Sequence, residues 1–286
     1  MATLIPGIWK RRDPTVTPVP LVFDSPHSGT LYPQDFGYAA PLSVLRMAED
    51  AHVDALFAVA PEHGATLLAA LFARSYIDLN RPLQDIDPEL LAEPWPDPVR
   101  PSEKTRLGIG LIWRLAQPGV AVYARKLSVA ELRARIETYY LAYHDELART
   151  LDALHERFGV VWHIDCHSMA SRGSDITPDR DAAERADFVL GDRDGATCGP
   201  IFTDFVRSRL AGMGYSVAIN DPYKGAEIVR RYADPPARRH SLQIEINRRL
   251  YMDETTRKPH AGYAKLAADL QHLVRDLADW ARAALA

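Results

Sequence analysis

The stretch Val160-Val161-Trp162-His163-Ile164-Asp165-Cys166-His167-Ser168-Met169 decides how this chain is read. Its first half is apolar and bounded by turn residues, which predicts a strand over 160–165. An acid stands at the end of that strand, and a His-Ser pair follows just past it. A second stretch repeats the grammar: Leu21-Val22-Phe23 runs into Asp24-Ser25-Pro26-His27-Ser28-Gly29. In open α/β sheets, ligands bind beyond the carboxyl ends of the strands. Two strands that deliver histidine to such a place predict an α/β sheet with a site at one edge.

Working outward, further strands are expected at 20–24, 65–72, 75–79, 215–219 and 242–246. Helical segments are expected at 43–60, 128–157, 200–212 and 262–285. Ser128 with Glu131 three residues on forms a capping box. Tyr263, Leu266, Leu270, Leu273 and Leu277 make one apolar stripe, as a helix packed on a sheet requires. Strands alternating with helices predict a mostly parallel or mixed sheet covered on both faces, in a single domain over 1–286. The proline-rich run 82–101 reads as an irregular surface excursion near a site.

Composition sets the outer bounds. The chain has 286 residues, 47% hydrophobic and 25% charged, with 34 basic against 38 acidic side chains and a net charge of −4. That length buries a sizeable core without disulfides, and two cysteines give no disulfide framework. No basic excess marks nucleic acid as a partner, and no apolar run approaches the roughly 20 residues that cross a bilayer. The opening MATLIPGIWKRRD places its basic residues after a short apolar stretch, the reverse of a signal peptide. A cytoplasmic protein is the expectation, and the sequence leaves a homo-oligomer open.

Histidine at two strand ends suits a metal site, since neutral imidazole is a common borderline-soft ligand. A histidine in a turn can also satisfy a buried carbonyl, and the repeated phrase is what favours the metal. The third ligand would be a carboxylate. Helical spacing in Glu49-Asp50-Ala51-His52-Val53-Asp54 puts Asp50 and Asp54 on one face with Val53 and Phe57, where an acid is costly unless paired or metal-bound. An acid-rich helix start would look the same, and His52, on another face, reads as structural. Along Leu242-Gln243-Ile244-Glu245-Ile246-Asn247 the alternation is strict, with Gln243, Glu245 and Asn247 on one face. Glu245 is a candidate base at a strand end. Arg74-Ser75-Tyr76-Ile77-Asp78-Leu79-Asn80-Arg81 ends in Asn-Arg, a pair suited to gripping a carboxylate.

Together these phrases resemble the N-formylglutamate amidohydrolase (N-formylglutamate deformylase) family. The matching pieces run in order from Asp24–Gly29 through Asp50–Asp54, Tyr76–Arg81, Asp165–Met169 and Gly191–Gly195 to Gln243–Tyr251. The family is similar in fold to zinc carboxypeptidases and aspartoacylases, which implies a three-layer α/β/α arrangement around a mixed sheet. It also implies hydrolysis of N-formyl-L-glutamate to formate and L-glutamate, commonly within histidine degradation. Carried onto this chain, the resemblance makes His27 and His167 the imidazole ligands of one zinc ion per chain. Asp50 is taken as the carboxylate, because the acid expected three residues after the first histidine is Thr30 here; Glu49 and Asp24 remain rivals. Glu245 matches the catalytic carboxylate, and Asn80 with Arg81 matches the pair that receives a substrate carboxylate.

The chemistry follows from these parts. A zinc-bound water would be the nucleophile, and Glu245 would take its proton and pass it to the leaving amine. Asp24 and Asp165 would orient imidazole N–H groups, or serve only as turn acids. A dicarboxylate substrate needs a second cationic anchor beside Arg81, drawn from Arg114, Arg193 and Arg248. Three rivals stand beside this reading: the same site acting on another N-acyl amino acid, a non-catalytic binder of acidic metabolites, and a nucleophilic Cys166.

Overall fold

A computed structural model describes residues 2–174, 177, 179 and 184–285. Eight strands form one mixed sheet: β1 (Ala2–Ile5), β2 (Trp9–Arg12), β3 (Leu21–Ser25), β4 (Thr66–Ala70), β7 (Val161–Met169), β8 (Phe188–Gly191), β9 (Val217–Ile219) and β10 (Arg239–Asn247). The short pair β5 (Leu115–Gln117) and β6 (Val120–Ala121) stands apart from it. The order across the sheet is β1-β2-β4-β3-β7-β10-β8-β9. Its centre, β4-β3-β7-β10, is parallel, while β2 and β8 run antiparallel to their central neighbours.

The helices are α1 (Leu42–Leu45), α2 (Val53–Leu56), α3 (Glu103–Arg106), α4 (Val129–Arg135), α5 (Ala142–Phe158), α6 (Pro200–Gly212), α7 (Glu227–Tyr232) and α8 (Gly262–Ala283). A π-helical turn, Ile136–Leu141, joins α4 to α5, so the expected helix over 128–157 is continuous but locally widened. Its capping box at Ser128 and Glu131 is present.

Side-chain alternation divides the core in two. On one face Leu21, Phe23, Trp162, Ile164, Cys166, Leu242, Ile244 and Ile246 pack with residues of α2, α6 and α8. On the other, Val22, Leu68 and Val161 pack with α5 and with the long segments around Tyr76 and Leu111. His163, Asp165 and His167 of β7 and Gln243 and Glu245 of β10 alternate with the residues of the first face, so their side chains enter the second layer. Sheet pleat therefore places acid, imidazole and amide groups together before any loop contributes.

Two expectations fail in instructive ways, and three short strands go unforeseen. The single helix over 43–60 is broken: Glu49 is extended at ψ 134° and His52 lies in the left-handed region at φ 67°. Asp50 is thus not on a helix face beside Val53; it sits in the gap, its N–H bonded to the His27 carbonyl at 3.0 Å. The strand at 75–79 is a series of turns, in which Tyr76 N–H returns to Ala73 O and Asp78 N–H crosses to Leu111 O. Its apolar residues are buried under loops rather than in the sheet. Strands β1, β2 and β8 carry four residues each, too short for periodicity to register. The last helix and 200–212 stand where the pattern put them.

Candidate active site

His27 leaves the end of β3 in a turn that must approach β4 closely. A Cβ on Gly29 would lie 2.2 Å from the Phe72 carbonyl oxygen, so only glycine fits there. Ser28 ties this turn to the broken helix, its hydroxyl donating to the Asp50 carbonyl at 3.1 Å and accepting from Asp54 N–H at 3.1 Å. His167 arrives from β7, beside Glu245 in the register of β10.

These tethers bring His27, Asp50 and His167 together, each almost fully buried, with one donor atom apiece lying within 4.8 Å of the others. The two Nδ1 atoms face each other at 3.2 Å, and Asp50 Oδ2 lies 3.1 Å from His167 Nδ1 and 3.6 Å from His27 Nδ1. The opposite nitrogens face carboxylates: His27 Nε2 is hydrogen-bonded to Asp78 at 2.7 Å, and His167 Nε2 lies 2.7 Å from Asp165 Oδ1. With hydrogens on those outer nitrogens, two imidazole lone pairs and a carboxylate oxygen converge on one point, an arrangement that calls for a cation. Two imidazoles and a carboxylate, each ring backed by a second carboxylate, fit zinc or a similar divalent ion.

Burial opposes the charge on Asp50, but the adjoining imidazoles of His167 and His27 and the nearby Arg74 hold its carboxyl well below the usual range. Asp78 is likewise opposed by burial and held low by Arg74, His27 and Arg81. Burial pushes Glu245 up to about 7, against the pull of His167 and with a further push from Asp50. A carboxyl poised there exchanges protons readily near neutrality. Its Oε1 accepts a hydrogen bond from Gln243 Nε2 at 2.9 Å.

The sequence-predicted residues divide by where they point. Asp165 Oδ1 lies 2.7 Å from His167 Nε2 but outside hydrogen-bond geometry. Asp24 orients an imidazole, but that of His163, at 2.8 Å, while Tyr143 donates to its other oxygen; it does not meet His27. The rival Glu49 turns to Tyr32 and Arg46. Asn80 is engaged inside the protein, its carbonyl accepting Ile228 N–H at 2.8 Å and its amide nitrogen 3.2 Å from His167 Nε2.

Among the described residues, Arg81 donates only to carbonyl oxygens, those of Ile109 and Asn80, and to no carboxylate. Burial lowers its pKa, Asp78 opposes and Arg74 adds to the lowering. Arg248 escapes the strand alternation because β10 ends at Asn247, which caps a 3-10 turn. Its guanidinium reaches Asp50 Oδ1 at 3.0 Å and Ser168 Oγ at 3.0 Å, steadying the carboxylate that faces the two histidines. Arg114 pairs with Asp87 and Glu89, and Arg193 donates to the Gly225 carbonyl. None of their contacts reaches the histidine cluster.

Three groups escaped the sequence reading. Asp78 and Arg74 both lie in the motif whose Asn-Arg end carries the sequence signal, and Arg74 Nη2 sits 2.9 Å from Asp78 and Nη1 3.9 Å from Asp50. The acid two residues before Asn80 was the available signal. Lys104 carried none; burial, then Arg81 and Arg74, push its amine down to about 8, which places it in the same positive field. Cys166 faces the opposite layer, fully buried, and burial raises its thiol pKa well above the ordinary value, so it is no nucleophile.

Comparison with known proteins gives a consistent picture. Residues 19–252 match the family model described as N-formylglutamate amidohydrolase. The N-formylglutamate deformylase of Pseudomonas putida is 30% identical over 265 residues, covering 91% of each chain. That of Pseudomonas aeruginosa is 32% identical over 264 residues, again covering 91% of each. The crystal structure of an N-formylglutamate amidohydrolase from Ralstonia eutropha JMP134 superposes with a TM-score of 0.92 at 47% identity, covering 97% of this chain and 99% of that one. A gene product of Agrobacterium tumefaciens, 18% identical with a TM-score of 0.66, covers 98% and 96% and shares the fold.

Proposed function

Because the chain belongs to the N-formylglutamate amidohydrolase family, we propose that it hydrolyses N-formyl-L-glutamate to formate and L-glutamate at the His27–Asp50–His167 centre. The observation that carries the reading is the convergence of those three donors beside Glu245, with Arg81 close by and held only by carbonyls. Zinc bound there by the three residues would lower the pKa of a bound water from 15.7 to about 7. The likeness to zinc carboxypeptidases and aspartoacylases belongs to this same reading.

The chain's own groups account for the remaining steps. Arg81 receives a substrate carboxylate through its planar fork of N–H donors. Glu245 accepts a proton from water as oxygen adds to the formyl carbon. Arg74, partly buried between Asp78 and Asp50, meets the negative charge that develops on the formyl oxygen. As the C–N bond breaks, Glu245 returns the proton to the nitrogen, giving the free amine of L-glutamate and formic acid, which ionises. Asp78 and Asp165 keep the two imidazoles fixed through these changes.

Formate release from N-formyl-L-glutamate by purified, zinc-supplemented protein tests the reading, with N-acetyl- and N-formimino-L-glutamate run beside it. Formate production that is lost on chelation and restored by zinc is the expected result. Saturable glutamate binding without formate release would point to a binder, and faster turnover of the acetyl compound would move the substrate to another N-acyl amino acid.

A further inference from the structure

On the deformylase reading of the site, we propose that Trp113 is a positioning residue: its indole clamps the Arg74 guanidinium against Asp78, so that the cation facing the developing oxyanion is oriented before substrate arrives.

Two independent contacts converge on this side chain. The Arg74 guanidinium carbon lies 5.5 Å from the centre of the Trp113 ring. The indole Nε1 donates to Asp78 Oδ2 at 3.3 Å, the same oxygen that accepts from Arg74 Nη2 at 2.9 Å and Nε at 3.3 Å. Trp113 therefore covers the guanidinium and also bonds the carboxylate that holds it. Arg74 has a second acid within reach, Asp50 Oδ1 at 3.9 Å, so a long flexible side chain between two carboxylates needs something to choose its orientation. A ring packed on the cation does this, and the attraction is stronger where water is excluded. Trp113 is 7% exposed.

The turn that carries Trp113 is itself fixed. Gly108 has φ +82°, and a Cβ on Gly110 would lie 2.6 Å from Thr105 Oγ1 and 2.8 Å from the Asp85 carbonyl oxygen. Leu111 O accepts Asp78 N–H at 2.8 Å, Ile109 O accepts from Arg81 Nε, and Ile109 bridges Trp113 across the turn. One glycine-shaped turn thus sets both cations, Arg74 through an aromatic face and Arg81 through a carbonyl. Preorganised donors owe their effect to needing no rearrangement as charge develops, so loosening Arg74 should slow the chemical step more than it weakens binding.

The test is a double-mutant cycle on zinc-loaded protein. Trp113→Leu should lower kcat for N-formyl-L-glutamate by about tenfold, while KM, the Kd for L-glutamate and the bound zinc stay within about twofold. Trp113→Phe, which keeps the ring, should recover most of the rate. In an Arg74→Ala background, Trp113→Leu should change kcat by less than about twofold, because the group it acts through is gone. An equal loss in both backgrounds, or a loss carried by KM, overturns the proposal. Should the leucine variant fail to fold, Trp113→Met carries the same cycle. A readout independent of turnover separates this inference from the substrate assignment. The Nε–H resonance of Arg74 should be sharp and exchange-protected in the native protein and broadened in Trp113→Met. Unchanged protection overturns the clamp whether or not formate is released.

Discussion

His27 and His167 turn their Nδ1 atoms toward each other across 3.2 Å, while a carboxylate oxygen lies 2.7 Å from the far nitrogen of each ring. Two buried lone pairs at that distance repel unless a cation or a proton lies between them, and Asp50 adds a third acceptor to the same point. Either ring is therefore essential to the centre. His27→Ala or His167→Ala should take bound zinc from about one per chain to near zero by elemental analysis, with formate release lost in parallel. Full zinc occupancy in either variant would remove that histidine from the ligand set.

Asp78 acts one step further out. It accepts from His27 Nε2, Asn80 N–H, Arg74 and Trp113, so one buried carboxylate fixes an imidazole of the cluster and a cation together. Asp78→Asn keeps the shape but replaces an acceptor oxygen by a donor. Zinc affinity, measured by competition with a chelating dye, should fall about 10- to 100-fold, the usual cost of losing such a partner. An unchanged affinity would leave Asp78 a purely structural residue.

How much of this was legible in the sequence depends on the kind of signal. The alternating strand around Glu245 is legible because sheet pleat has a fixed period of two; the two His-Ser phrases are legible as repeated strand ends, although β7 runs on through Met169 and holds His167 within the strand. That period sends Asp165, His167, Gln243 and Glu245 into one layer without any knowledge of loops. Asp50 does lie beside the two histidines, but not for the reason its spacing suggests. A helix over 43–60 would have aimed it at the core beside Val53, whereas the chain breaks at Glu49 and His52 to deliver it to His27. The roles of Asp78 and Trp113 come from chain segments more than 30 residues apart meeting at one oxygen, which no local spacing encodes. Arg248 shows the same limit, since strand alternation predicts the wrong face once Asn247 caps a turn.

Glu245 faces the cluster from the neighbouring strand, and burial lifts its carboxyl toward neutrality. Glu245→Gln retains size and the capacity to bond Gln243 but cannot carry a proton. Zinc content should be unchanged and kcat should fall at least about 100-fold, the scale of a lost general base. Turnover within about tenfold of the native protein would send the search for the base elsewhere.

On the proposed function Arg81 receives the substrate's carboxylate, and among the described residues its hydrogen bonds run to carbonyl oxygens. Charge-assisted hydrogen bonds of this kind contribute about 1.5–3 kcal/mol. Arg81→Ala should accordingly raise KM for N-formyl-L-glutamate roughly 10- to 100-fold, with a smaller change in kcat. Arg81→Lys should recover only part of this, because an ammonium cannot match both oxygens at once. Steady-state kinetics with the native protein alongside decide it, and a KM unchanged in the alanine variant would exclude Arg81 as the anchor.

His144 ties the layer beneath the site to its surroundings, with Nε2 3.0 Å from the Leu79 carbonyl and Nδ1 2.7 Å from the Tyr232 hydroxyl. Nε2–H donates to the carbonyl, so Nδ1 accepts and the ring is neutral in the fold. Burial, then Arg231, lower its pKa from the ordinary 6.5 to about 3. Below about pH 6.5 the unfolded chain takes up a proton that the folded protein refuses. The stabilisation from this residue is therefore present above pH 6.5 and is lost as the pH falls toward about 3. By linkage the loss at pH 5 is on the order of 2 kcal/mol relative to neutral pH. Urea denaturation at pH 7.5 and pH 5.0 should show that decrease in the native protein. In His144→Gln, whose amide can both donate to Leu79 and accept from Tyr232 without titrating, the decrease should be smaller by about the same amount. Equal pH dependence in the two proteins would mean that His144 is not a source of acid lability.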